Sequence, residues 1–509
     1  MPLKSPHPAN NIMDTLRDIA RPIHHTSTAP DGSALAVHVP SLMPQQLGDR
    51  EFCAEIGIRY PYLGGSMAKG ISSVAMAEAL GQAGMLGFFG AAGLSFVAVE
   101  SAVEQLVGSG CPCGFNLIHS PHEADLEAAL AELYISKGVQ LVEASAFLAL
   151  TLPLVRYRTH GIHRSADGTI IAPNRIIAKV SREELAEKFF SPPPEKFIRQ
   201  LLAEGALTPE QAELAAHIPM AQEITAEADS GGHTDNRPAM ALFPTIASLA
   251  LRMEQKFAYP VKLRVGLAGG IATPAAAAAA FAMGAAYIMT GSVNQACVES
   301  GTSDTVRRML ADTRQADVTM APAADMFEMG VTVQVLKRGT MFPMRAAKLY
   351  EIYRSHNSID AIAAAERDKL EKTFFQASLA DIWRDTRIFF LKRDPRQVER
   401  AEREPKHLMA LVFRWYLGQA AHWAKDGASD RTMDYQVWCG PAMGAFNEWA
   451  AGSFLEAPDQ RQVATVARNI LYGAAVLTRA NILRYQNTTL PADFRTEPLE
   501  DTQIKEYFA

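Results

Sequence analysis

From about residue 60 to residue 290 the chain alternates short apolar runs with runs of helix length, and this rhythm restricts the fold more than any other feature. The short runs lie at 62–66, 85–89, 113–118, 139–143, 176–180, 221–227, 263–267 and 287–290. Helix-length runs lie between them, among them 72–83, 96–107, 123–136, 239–257 and 274–283. Strands that read as continuous apolar runs are covered on both faces, and parallel neighbours need a crossover long enough for a helix. Eight such units in succession predict an α/β fold, a TIM (β/α)8 barrel, with its ligand site at the carboxyl ends of the strands.

Two stretches depart from the rhythm. Residues 181–218, with Ser191-Pro-Pro-Pro194 and then a charged helical pattern, read as a helical insertion after strand five that would sit beside the site as a lid or docking arm. Residues 161–174, containing Ala166-Asp-Gly-Thr169, read as a hairpin ahead of strand five. Beyond residue 312 long helical patterns take over at 362–375, 379–391, 407–422 and 463–483, broken at Pro395, Pro405 and Gly440-Pro441. The expected organisation is a peripheral segment over 1–55 with one β-like stretch at 34–39, a barrel over 56–312 and a large helical C-terminal region over 313–509.

Composition removes several classes of function. With 509 residues, 48% of them hydrophobic, the chain can bury a large core. A net charge of -6 speaks against nucleic acid as a general partner, which calls for surplus Lys and Arg. Five cysteines do not make a disulfide framework, and the opening residues lack the apolar core of a signal peptide, so a cytoplasmic protein is expected. The apolar stretch 271–289 is mostly Ala and holds Pro274 and Gly284, so it divides into a helix and a strand and not a membrane span. Cys111-Pro-Cys113 has no second pair at zinc spacing and no His-Glu-x-x-His occurs, so no metal site is expected.

Small and polar residues gather at the predicted strand ends. Gly64-Gly65-Ser66-Met67 closes strand one, Glu227-Ala-Asp229-Ser-Gly231-Gly232-His233 follows strand six, Gly269-Gly270 follows strand seven, and Gly291-Ser292 follows strand eight. Glycine at a strand end lets a ligand approach the backbone, and the loops after strands seven and eight form the usual phosphate site of this fold. Gly269, Gly270, Gly291 and Ser292 are therefore the expected phosphate ligands. Asn116, Glu143 and Lys179 end strands three, four and five, where their side chains can meet the edge of a flat heterocycle. For a flavin, Asn116 can pair with the pyrimidine edge and Lys179 can stabilise the reduced anion. Lys179 can equally form an ion pair with Glu143. His233 can exchange a proton near neutral pH or simply pack on the cofactor, with Asp229 and Asp235 as groups that could orient it. Cys297 and Cys439 read as buried small residues.

Gly64-Gly-Ser-Met-Ala-Lys-Gly-Ile71, Gly114-Phe-Asn-Leu-Ile-His119, residues 227–238, residues 266–292 and Asp434-Tyr-Gln-Val-Trp-Cys-Gly-Pro-Ala-Met-Gly444 resemble the flavin-dependent TIM barrels of the nitronate monooxygenase superfamily. Within it they are most similar to the trans-acting enoyl reductases of polyunsaturated fatty acid and polyketide synthases, the PfaD family. The resemblance implies FMN as cofactor, NADPH as hydride donor and an enoyl thioester on an acyl carrier protein as substrate. It implies flavin contacts at Gly65, Met67, Asn116, Lys179, Gly231, Gly232, Gly269, Gly270, Gly291 and Ser292, with His233 as the active-site histidine. Nitronate monooxygenases typically carry a glycine two places after Gly-Gly-His, whereas Thr234-Asp-Asn-Arg-Pro238 follows here. That departure and the long helical C-terminus favour the carrier-dependent reductases over a nitronate monooxygenase; a non-catalytic scaffold of a synthase complex is the alternative from another class. Barrels with such additions often dimerise, and a homodimer is expected. Lys337, Arg338, Arg345 and Lys348 form the best basic cluster for docking an acidic carrier, with Arg387, Lys392 and Arg393 as another.

Overall fold

A computed structural model describes residues 12–28, 34–119, 124–492 and 494–508. Eight parallel strands close into a barrel: β1 (Tyr62–Gly64), β2 (Leu86–Phe89), β3 (Cys113–Ile118), β4 (Leu141–Ser145), β5 (Arg175–Val180), β6 (Glu223–Glu227), β7 (Arg264–Ala268) and β8 (Ile288–Thr290). Each pairs with its sequence neighbour, and β8 pairs with β1 to close the ring. All eight apolar runs have become barrel strands. The helices α1 (Val74–Gln82), α2 (Phe96–Ser109), α3 (Ala124–Ser136), α4 (Leu152–Thr159), α5 (Glu183–Phe190), α6 (Ala239–Phe257) and α7 (Pro274–Ala282) follow β1 to β7 in turn. Serine or threonine caps open α1, α2, α4 and α7, each accepting a hydrogen bond from the third helical amide.

The barrel interior is packed, and a helix over Arg50–Ile56 closes its amino-terminal end with Phe52, whose ring stacks on Tyr287 at 4.5 Å. Burying aromatic and aliphatic side chains of this size contributes roughly 1.5–3 kcal/mol each. The interior cannot be a pore, so a ligand must lie at the opposite, carboxyl end.

The eighth outer helix does not follow β8 directly. After a four-residue helix at Ser292–Gln295, the chain leaves the barrel and returns as α9 (Val463–Tyr485), which packs between α7 and α1. The approach to α7 is tight: a Cβ on Gly473 would lie 2.5 Å from the Pro274 ring. Arg479 of α9 donates to the carbonyls of Leu16, Asp18 and Arg21, tying the amino-terminal segment to the same helix. The expected β-like stretch near residue 34 is the strand Ala34–Val39, paired with Ile23–Thr28.

The segment between the short helix and α9 is helical, as the sequence indicates, and its longest element is α8 (Pro405–Asp426). It also holds two strands that helical periodicity did not signal, β9 (Val318–Pro322) and β10 (Thr332–Leu336). They form an antiparallel sheet with Gly232–His233, in which Gly232 opposes Gln334 and His233 opposes Val333. The C-terminal region is thereby joined to the loop after β6 by backbone pairing.

The hairpin before strand five is present, His163–Arg164 pairing with Ile170–Ile171. The insertion after β5 is helical, but it is not a lid. Its helix α5 packs on α6, Glu195–Ala203 on α4, and Pro209–Ala215 on the hairpin. Phe189, Phe190, Ile198, Leu201 and Leu214 are buried, so the apolar faces of these helices are used against the outer helices and the hairpin.

Candidate active site

A cleft opens at the carboxyl ends of the strands. Its walls carry Gly65, Ser66, Met67, Asn116, Lys179, Asp229, Gly231, Gly232, His233, Gly269, Gly270, Gly291 and Ser292. Of the candidates from the sequence, Gly64 and Glu143 stand apart from that wall. Gly64 lies inside β1, where a Cβ would meet Leu80 at 2.4 Å, and Glu143 is fully buried beneath the floor.

Lys179 is the cation of the floor. Its Nζ lies 3.5 Å from Glu143 Oε2 and 3.6 Å from Glu227 Oε1, one partner on the neighbouring β4 and the other on β6. Burial disfavours its charge, but Glu143 and then Glu227 more than offset this and raise its pKa above the usual lysine value. Burial pushes the Glu143 carboxyl up, against the pull of Lys179 and of hydrogen bonds from the Ser66 hydroxyl and amide. Lys179 is thus paired with Glu143 and also lines the cleft. Asn116 uses Nδ2 on the Glu143 carbonyl at 3.2 Å and the Ser145 hydroxyl at 2.8 Å, which fixes the direction of its amide.

His233 lines the same cleft, with about a third of its side chain exposed. Its Nε2 lies 3.2 Å from Asp325 Oδ1, in the loop between β9 and β10. Burial works against a charged imidazole, but the Asp325 hydrogen bond and the charges of Asp325 and Glu227 outweigh it and raise the pKa. Burial would raise the Asp325 carboxyl in turn; the bond to His233, the His233 charge and Arg414 hold it below the usual range. Asp229 and Asp235 do not orient the histidine. Asp229 accepts from Asn236 and Gln334, both at 2.8 Å, and Asp235 is held by Ser181 and Arg182. Each is committed to shaping the loop that carries His233, and Asp325 was missed because 92 residues separate it from its partner.

The backbone of the other wall is shaped for close approach. Gly269 has φ +83°, and a Cβ there would lie 2.5 Å from the Ala228 carbonyl carbon, so the turn after β7 can only be glycine. The first amides of the helix Ser292–Gln295 have no carbonyl partner within it and are available to an anion. Beneath them Tyr62, Thr290 and Asn294 form a buried chain of hydrogen bonds that holds this end of the barrel. Gly231 and Gly440 touch: a Cβ on Gly231 would lie 2.9 Å from Gly440 N, and the Gly440 amide donates to Ser292 Oγ at 2.9 Å. Trp438, Gly440 and Ala442 complete the wall. Neighbouring Cys439 is buried and its thiol is pushed up to about 12 by that burial, which makes it inert as a nucleophile.

In the expected docking cluster Lys337 is exposed, while its three other members are paired. Arg345 is paired with buried Asp434, Lys348 with Glu351 and Glu366, and Arg338 with Asp317. In the second cluster Arg387 pairs with Glu402, and the Arg393 guanidinium lies over the Phe389 ring. Among the described residues no helix is long and apolar enough to cross a membrane.

Known proteins resemble the chain over most of its length. The crystal structure of the enoyl reductase domain of MlnA, from the macrolactin biosynthesis cluster of Bacillus amyloliquefaciens, superposes with a TM-score of 0.82 at 40% identity. The match covers 86% of this chain and 99% of that one. The chain belongs to the family of that enoyl reductase domain. It is 48% identical over 469 residues to one of the polyunsaturated fatty acid synthase polypeptides of Thraustochytrium sp., covering 90% of this chain and 31% of the relative. It is 45% identical over 436 residues to the polyketide biosynthesis protein PksE of Bacillus subtilis, covering 85% of this chain and 56% of the relative. The chain thus spans about a third of the first relative and just over half of the second. Residues 356–435 match the inserted helical domain of [acyl-carrier-protein] S-malonyltransferase.

Proposed function

We propose that the protein is an FMN-dependent enoyl reductase that acts in trans on enoyl thioesters held by an acyl carrier protein, with NADPH as reductant, in polyketide or polyunsaturated fatty acid biosynthesis. The observation that carries this reading is the pairing, across one cleft, of a buried cation on the barrel floor with a histidine held by a carboxylate. The 40% identity to an enoyl reductase domain along nearly the whole of that domain supports the reaction class. The helical match at 356–435, to an enzyme named for the carrier protein, supports the partner.

The residues fit the cofactor. Gly269, Gly270, Gly291 and Ser292 would hold its phosphate through backbone amides and the Ser292 hydroxyl, whose proton remains free when its oxygen accepts from Gly440. Gly65, Met67, Asn116, Gly231 and Gly232 would bound the ring, and a side chain at Gly269 would fill space the backbone needs. When bound, FMN supplies a ring that takes hydride from NADPH and gives it to the β-carbon of the enoyl thioester. Lys179, kept charged by two carboxylates, offsets negative charge that develops beside the floor. His233 supplies the proton to the α-carbon from the wall after β6.

The test is anaerobic stopped-flow on the purified protein. NADPH should bleach a yellow flavin, and an enoyl-carrier thioester should restore its absorbance without oxygen. Recovery with oxygen alone, or oxygen uptake with an alkyl nitronate and no NADPH, would point to a nitronate monooxygenase. A colourless protein that still supports product formation in a reconstituted synthase would point to a scaffold.

A further inference from the structure

We infer that Asp325 is the positioning residue of the site: by accepting the hydrogen bond from His233 Nε2 it fixes the imidazole and leaves Nδ1 as the nitrogen that gives its proton. The role rests on the proposed reduction, but the arrangement is a property of the fold. His233 lies on a two-residue strand paired with β10, and Asp325 lies on the loop joining β9 to β10, so histidine and carboxylate belong to one small sheet. That loop is clamped from behind by α8. Arg414 Nε donates to the Ala324 carbonyl at 2.8 Å, and its Nη1 lies 3.7 Å from Glu328 Oε2. Glu328 Oε1 meets His407 Nδ1 at 2.9 Å, and His407 Nε2 meets Gln397 Oε1 at 2.9 Å. The loop is therefore tied to the helical region on both sides of Asp325, at Ala324 and at Glu328.

The charged groups facing His233 are Asp325 from the loop, Glu227 from β6 and Lys179 from β5, with Arg414 behind Asp325. Two anions against one buried cation favour the imidazolium, in agreement with the raised pKa. An imidazolium donates from both nitrogens. With Nε2–H committed to Asp325, transfer of the Nδ1 proton to the α-carbon, as hydride arrives at the β-carbon, leaves a neutral ring that keeps its bond to Asp325. The double bond becomes two C–H bonds, and His233 recovers its proton from water. The sign of the pH dependence follows. The ion pair is fully formed below the ordinary histidine value of about 6.5 and is lost as pH rises through the higher folded value.

The experiment is an NMR titration of the His233 ring in the full chain, its signal assigned by its absence from His233→Gln, beside the pH profile of thioester reduction. Wild type should titrate above the ordinary histidine range. Asp325→Asn should titrate lower, move the alkaline limb of thioester reduction to lower pH, and slow that step roughly tenfold or more at pH 8, with bleaching by NADPH unchanged. Asp325→Glu should keep the raised titration and recover part of the rate. If Asp325→Asn does not fold, Asp325→Glu decides alone: a titration at the ordinary value contradicts the role. An unchanged His233 titration in Asp325→Asn, or an equal loss at every pH, overturns it. If the protein carries no flavin, the functional reading fails while the titration still decides whether Asp325 controls His233.

Discussion

The two walls of the cleft are built in opposite ways. The wall after β7 and β8 draws on one short stretch: Gly269, Gly270, Gly291 and Ser292 lie within 24 positions of one another, although Gly269 packs on the Ala228 backbone and Ser292 accepts from the Gly440 amide. The neighbouring wall, after β6, is assembled from farther off. His233 takes its strand partner from β10 and its carboxylate from residue 325, and Gly231, two places before it, meets the backbone of residue 440. A barrel strand end can present amides to an anion unaided, but holding an imidazole charged in one orientation requires a second body. The long excursion between β8 and α9 supplies it.

If that contrast is right, damage should separate along it. The largest effect is expected at the floor, which both walls share. Lys179→Met leaves Glu143 buried without its cation, and breaking such a pair costs about 3–5 kcal/mol. Thermal denaturation should show a marked loss of stability at neutral pH. Because burial raises the Glu143 pKa, lowering the pH should protonate it and return part of that loss. A stability deficit that grows as pH falls would contradict this assignment. Next comes the local wall. Gly269→Val drives a Cβ into the Ala228 carbonyl at a positive φ, and FMN retention, read as flavin absorbance per protein, should fall at least tenfold.

A smaller effect is expected where the two bodies touch. Gly440→Ala pushes against the Gly231 amide and should slow thioester reduction several-fold with flavin content nearly unchanged, since the strain is felt by the His233 strand. Loss of flavin in this variant would mean that the walls are not separable. The smallest effect belongs to the surface. Reversing Arg338 and Lys348 only breaks exposed pairs, worth about 0–1 kcal/mol each, so the apparent KM for carrier-bound substrate should move less than about twofold. A large rise would restore that cluster as the docking surface.

The same contrast decides what could be read from the chain. All eight strands were legible from the regular alternation of short β-like runs with helix-length runs, and α6 was placed at both ends. The glycine turns were legible because a glycine after a strand is visible without its spatial neighbours. Asp325, Trp438 and Gly440 were not, since their roles come from pairing across long separations that no local period records. β9 and β10 were hidden for a related reason: they are short, and they sit in a region whose dominant period is helical. The insertion after β5 misled because an amphipathic helix has the same pattern whether its apolar face covers a site or an outer flank. Lys179 shows the limit in one residue. Its place at the strand end and a pairing with Glu143 were readable, but not that Glu227 joins them.

The central claim is that binding and proton delivery are divided between the walls, and the direct measurement is the two half-reactions of His233→Ala followed separately without oxygen. The account predicts full flavin content, bleaching by NADPH close to wild type, and reduction of the enoyl-carrier thioester slowed by about 10^2-fold or more. Equal slowing of both half-reactions, or loss of the flavin, would contradict it.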